Sequence, residues 1–134
     1  MTEKYNIKDN PHKGNHGITR AFRAAINSWN GFIYAYQEES AFRQELALNL
    51  ILVPLAIYLP YGTIEKILLI CSTLLVLIVE LLNSSVEAAV DRISYEEHDL
   101  SKRAKDFGSA AVSVAILISA ITWGLISYQT FFSK

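Results

Sequence analysis

The chain is short of cysteine, methionine and proline: 134 residues hold one, one and three of them. The lone cysteine, Cys71, excludes an internal disulfide. Set among apolar neighbours, it reads as a small hydrophobe, buried or facing lipid, and not as a reactive thiol. Charge of one sign is also missing, for the formal net charge is −1 and basic residues are interleaved with acids, so nothing drives the chain toward nucleic acid. The first 17 residues, MTEKYNIKDNPHKGNHG, lack an apolar run. No secretory signal is therefore expected there, and insertion would rely on internal segments. GxxxxGK[ST], a GxGxxG loop, HExxH and paired CxxC are all absent, so any use of a nucleotide must take another route. What is present in quantity is apolar: 51% of residues are hydrophobic and mean hydropathy is positive, which implies one membrane-embedded unit with no room for a second domain.

Residues 1–17 carry Pro11, Gly14 and Gly17 among polar groups, and disorder is expected over them. His12 and His16 stand four apart, a spacing that suits a metal on a helix, but the proline and glycines argue against a helix there. From Ile18 to Gln44 the pattern is amphipathic: Ile18, Phe22, Ala25, Ile26, Trp29, Phe32, Ile33 and Tyr36 form one side, and Arg20, Arg23, Asn27, Asn30 and Gln37 another. A basic, aromatic helix of this kind lies in the membrane interface. Three spans are expected after it, over about 46–61, 64–90 and 109–132, against the roughly 20 residues a bilayer core needs. The first is short and carries Asn49 and Pro54, with Pro60, Tyr61 and Gly62 making the turn that ends it.

Orientation follows from the cations. Lys4, Lys8, Lys13, Arg20, Arg23 and Arg43 precede the first span, and Arg92, Lys102, Arg103 and Lys105 separate the second from the third. The positive-inside rule then puts the amino terminus and the second connection in the cytoplasm. The third span holds Ser109, Ser113, Ala115, Ser119, Ala120 and Gly124, small residues that either allow close helix approach or simply fill the helix. Trp123 and Tyr128 suit the far interface. Three helices give little internal surface to shelter a carboxylate, so oligomerisation is expected.

The carboxylates are the chemistry. Along ELLNSSVEAAVDRI, Asn83, Ser84, Glu87 and Asp91 follow Glu80 by three, four, seven and eleven residues, which on a helix puts them on one face. Ionisable groups at membrane depth need partners and mark a functional site. Glu80, deepest and least hydrated, is a candidate general base, and Glu87, nearer water, a candidate ligand for a divalent cation such as Mg2+ that also takes phosphate oxygens. Glu38 and Glu39 offer another carboxylate at the same depth. Glu80 and Glu87 also admit a reading as a structural interhelical hydrogen-bond pair, or as the polar lining of an ion-conducting oligomer. The second connection, DRISYEEHDLSKRAKDFGS, reads equally as a solvated connector or as a binder of anionic phosphate, and His98 alone reads as a surface histidine.

ELLNSSVEAAVDRI from Glu80 to Ile93 and HDLSKRAKDFGSAAV from His98 to Val112 closely resemble the small prokaryotic integral membrane diacylglycerol kinase family. AFRQE (Ala41 to Glu45), the Ser28-Trp29 pair and ITW (Ile121 to Trp123) match it too, and coverage runs from about Gly17 nearly to the end. The resemblance implies an all-α homotrimer of three-span subunits in a bacterial inner membrane, each with an amphipathic surface helix. It implies MgATP-dependent phosphorylation of diacylglycerol to phosphatidic acid, in active sites shared between neighbouring subunits. By that resemblance Glu80 is the proton acceptor with Asn83 as its polar partner, and Glu39 and Glu87 hold the metal. Arg20, Asn27, Glu39, Glu87, Glu96, Glu97, His98, Lys105 and Asp106 correspond to positions around the nucleotide, although Asn27 stands where the family commonly has an aromatic residue. Positions near the lipid correspond to Arg20, Ala24, Ala25, Ser28 and Trp29 on the surface helix. Ala41, Phe42, Arg43, Gln44, Glu45, Glu80 and Ser109 complete that set. Relatives with the same core phosphorylate undecaprenol, which is the alternative substrate; the wording NSSVEAAVDRIS and RAKDFGSAAV is closer to the Gram-negative diacylglycerol branch.

Overall fold

The computed structural model describes residues 17–93 and 98–133, and over these the chain is all helical. Four helices follow in order: α1 (Ile18–Glu38), α2 (Ser40–Tyr58), α3 (Thr63–Ile93) and α4 (Asp99–Phe132). The expected disorder of residues 1–16 and the His12 and His16 pair lie outside the described residues. Three helices, α2, α3 and α4, are long and apolar enough to cross a membrane. The chain is thus a small integral membrane helical protein.

Two compact units divide between Tyr34 and Ala35. In the first, Gly17 adopts φ +72°, a left-handed conformation that costs glycine nothing, and starts α1 by accepting Ala21 N–H at its carbonyl. Ile18, Phe22, Ile26 and Trp29 then recur at helical spacing and are all exposed, an uncovered apolar side of the kind an interfacial helix lays into lipid headgroups.

In the second unit α3 packs against both α2 and α4. The amphipathic pattern predicts helix through Gln44, but the helix stops at Glu38 and restarts at Ser40. Glu39 between them is extended, at φ −105° and ψ 113°. Arg43 supports the break: its Nη1 donates to the carbonyls of Tyr36 (2.9 Å) and Gln37 (3.2 Å), satisfying acceptors that a helix end leaves open. The first span accordingly begins earlier than expected and ends at Tyr58, where Lys66 Nζ reaches back to the Ile57 carbonyl at 2.6 Å. The turn into α3 closes on Glu65, whose carboxylate accepts the Gly62 N–H.

Ala56, Tyr61 and Leu69 form a buried cluster, with Trp123 and Ile126 of α4 packed on it. Tyr61 holds it polar side as well as apolar: its hydroxyl meets Ser127 Oγ at 2.8 Å, and its ring sits edge-on to Trp123 and Phe131. Trp123 therefore turns toward the other helices and not outward. Its Nε1 donates to Thr73 Oγ1 (2.8 Å), because an indole N–H enclosed by helices takes a protein partner in place of water. Tyr128 is exposed. Leu50, Ile51, Ile57, Leu68, Ile78, Leu117 and Leu125 are exposed too, as hydrocarbon-facing residues are, and Cys71 is exposed among them.

α4 begins ten residues before the expected third span. His98 caps it, with Nδ1 accepting the Leu100 N–H at 3.2 Å, and Asp99 stands in the first turn, where the helix dipole favours an anion. Much of the stretch read as a hydrophilic connector is therefore helix continued into water.

Candidate active site

Glu80, Asn83 and Glu87 lie on the carboxyl half of α3, and the 3.6-residue period brings them to one face. Glu80 is only 4% exposed. Its backbone carbonyl accepts Ser84 Oγ at 3.1 Å. Glu45, Glu39 and Glu87 are the carboxylates near enough to act on it electrostatically. Three elements thus converge: α3 supplies Glu80 and Glu87, α2 supplies Glu45, and the break before α2 supplies Glu39.

One turn along α3, Asn83 Nδ2 donates to Glu87 Oε1 at 2.9 Å. Asn83 Oδ1 is buried and has no hydrogen-bond partner among the described residues, and Asn49 Oδ1 on α2 is in the same condition. Asn49 Nδ2 is bound to the Glu45 carbonyl at 2.9 Å. Further toward the end of α3, Asp91 Oδ1 accepts Lys105 Nζ at 2.6 Å, tying α3 to the first turns of α4. Beside Glu45 opens a cavity of about 230 Å3, lined by Leu48, Leu52, Thr73, Val76 and Trp123 among others, an apolar pocket with a carboxylate at its rim.

Not all candidate residues are gathered here. Arg20, Ala24, Ala25, Asn27, Ser28 and Trp29 belong to the first unit and are exposed on α1; Ser28 Oγ is bound to the Ala24 carbonyl at 2.9 Å. Phe42 is 1% exposed and fills the core of the second unit. Ala41, Arg43, Gln44, Asp106 and Ser109 are exposed, and His98 serves as the cap of α4. Glu96 and Glu97 lie outside the described residues. Asp91 and Lys105 both fall in the stretch DRISYEEHDLSKRAKDFGS, but their pairing is not legible there, since no local pattern joins residues fourteen apart.

No group of three or more Asp, Glu, His or Cys side chains among the described residues converges as a ready-made metal cage. A cation that takes only one or two carboxylates and completes its shell with phosphate oxygens and water, as Mg2+ does, would not require such a cage. Asn83 occupies one oxygen of Glu87 and leaves the other for such a role.

A family model described as "Prokaryotic diacylglycerol kinase" matches residues 26–127. The chain is 50% identical over 115 residues to the diacylglycerol kinase of Escherichia coli (strain K12), covering 86% of this chain and 94% of that one. It is 49% identical over 120 residues to the diacylglycerol kinase of Pseudomonas aeruginosa, covering 90% and 98%. With that of Haemophilus influenzae it shares 48% identity over 112 residues, covering 84% and 95%.

Proposed function

This chain belongs to the prokaryotic diacylglycerol kinase family, and from that premise we propose that it transfers the γ-phosphoryl group of ATP to the hydroxyl of diacylglycerol at the cytoplasmic face of a bacterial inner membrane. The observation that carries the proposal within the chain is the buried Glu80, with Glu87 on the same helix, Glu45 on α2 and Glu39 in the break before α2 close enough to act on it electrostatically. From Thr63 to Glu80 is about 26 Å of helix and from Glu80 to Glu87 about 10 Å more, against a hydrocarbon core of about 30 Å. If α3 enters the core near Thr63, Glu80 stands just inside the opposite boundary, where a lipid hydroxyl waits, and Glu87 stands in the headgroup layer, where a soluble nucleotide arrives. The cations before α2 and around α4's start support a cytoplasmic position for that boundary, by the positive-inside rule.

In this reading Glu80 takes the proton of the lipid hydroxyl as its oxygen bonds to phosphorus and the bond to ADP breaks. Glu39 and Glu87 would hold Mg2+, which when bound supplies charge neutralisation on the phosphates. Asn83 orients Glu87, and Lys105, held by Asp91, offers its ammonium to phosphate. Arg20, Asn27 and Asp106, with Glu96, Glu97 and His98, are proposed nucleotide positions, and the α1 residues Ala24, Ala25, Ser28 and Trp29 lipid positions together with Ala41 to Glu45 and Ser109. The exposed apolar helices and the small residues of α4 support assembly as a homotrimer whose subunits share sites.

The test is transfer of labelled γ-phosphate by the purified chain in mixed micelles to diacylglycerol and, in parallel, to undecaprenol. Labelled phosphatidic acid as the main product is expected. Equal or faster labelling of undecaprenol would overturn the substrate, and nucleotide-independent ion flux with no labelled lipid would overturn the kinase reading.

A further inference from the structure

Glycine is a poor residue for a helix interior, and α4 carries two, Gly108 and Gly124. They are not alike. A Cβ built on Gly124 meets nothing within 4 Å, and the same holds for Gly31 of α1, so no contact within the described residues requires glycine at either. A Cβ on Gly108 would overlap Oδ1 of Asn83 and lie 3.1 Å from its Cγ. The side chain of Asn83 occupies the place where any other residue at position 108 would put its first carbon. That same amide donates its Nδ2 to Glu87 Oε1 at 2.9 Å, and its Oδ1 is the buried acceptor without a partner. Oδ1 is therefore turned to the α4 backbone at Gly108 and Nδ2 to the carboxylate, and among the described residues the bond to Glu87 is not joined by a second one at Oδ1.

We propose that Gly108 is a positioning residue: by leaving room for the Asn83 amide between α3 and α4, it holds Nδ2 on Glu87 and so presents the free oxygen of that carboxylate. A methyl group at position 108 would overlap the amide oxygen, so the Asn83 side chain must turn away from its present place or the two packed helices must separate. Glu87 then loses its orienting donor while keeping its charge.

The inference rests on the catalytic reading of Asn83 and Glu87 given above, and two measurements separate it from that reading. The first is structural: the side-chain amide resonances of Asn83, identified by their loss in Asn83→Ala, are recorded for the full chain in micelles. Gly108→Ala is expected to move this pair while those of Asn27 and Asn49 stay, and Gly124→Ala to leave all in place. An unmoved Asn83 pair in folded Gly108→Ala overturns the proposal. The second is kinetic. Gly108→Ala is expected to lower kcat about tenfold or more and to raise the Mg2+ concentration for half-maximal rate, with the KM for lipid little changed. In an Asn83→Ala background, where the obstructing amide is gone and the fold is relieved of the clash, the same change should cost less than about twofold. Equal cost in both backgrounds would make Gly108 a packing residue only and overturn the proposal. Near-full turnover by Asn83→Ala would instead overturn the catalytic reading of Asn83, while a shifted amide resonance would still uphold the geometry.

Discussion

Lys105 Nζ donates to Asp91 Oδ1 at 2.6 Å, joining the end of α3 to the start of α4 across fourteen residues of sequence. Both side chains are partly exposed, 38% and 45%, so water and salt screen the pair and its contribution to stability is small. What it does is hold a long, flexible ammonium in one place, on the side of α3 that carries Glu87.

We predict that Asp91→Asn raises the KM for ATP several-fold and leaves thermal stability nearly unchanged. ATP titrations at saturating lipid decide this. An unaltered KM would mean that Lys105 does not need Asp91 to meet phosphate, and a large loss of stability would make the pair structural.

Glu80→Gln preserves shape and burial and removes the proton acceptor. Turnover is expected to fall by about 100-fold or more, the usual contribution of a general base, with the helical content intact. Single-turnover phosphate transfer by the folded variant is the measurement, and retention of ordinary turnover would end the assignment of Glu80.

Glu39→Gln and Glu87→Gln should each shift the Mg2+ titration of activity to higher concentration. The effect on KM for diacylglycerol should be small, since the cation acts on the phosphates. A metal titration that superimposes on that of the unmodified chain would remove that residue from the cation's shell.

Thr73→Val tests a contact far from the reaction. Thr73 is buried and accepts the Trp123 Nε1–H, so the isosteric valine leaves an indole donor enclosed without a partner. A loss of about 1 kcal/mol is expected in detergent unfolding, near the middle of the range for such bonds in water and in membranes. Turnover per folded molecule should hold, and an unchanged unfolding midpoint would show that Trp123 finds another acceptor.

Much of this protein is legible along the chain because its signals are local. Three apolar stretches of sufficient length predict spans, and α2, α3 and α4 are those helices. The period of Glu80, Asn83 and Glu87 predicts one face, and the helix puts them there. The ends of elements were less legible: α1 stops short of Gln44 at an interruption held by Arg43, whose bonds reach six and seven residues back, and no proline or glycine near Glu39 announces it. α4 starts early because a capped, polar helix continues outside the hydrocarbon as easily as within it, and hydropathy reads only the part inside.

By itself the sequence determined the membrane class, the helices, the carboxylate stripe and the family, all properties of residues counted along one strand or one helical period. Only the tertiary structure decided that Gly108 makes room for Asn83, that Trp123 points to Thr73 and that Asp91 meets Lys105. These depend on how closely two helices approach. That distance is set by side chains far apart in sequence, whose sizes and donors must match in space, and no periodicity within either helix records the match.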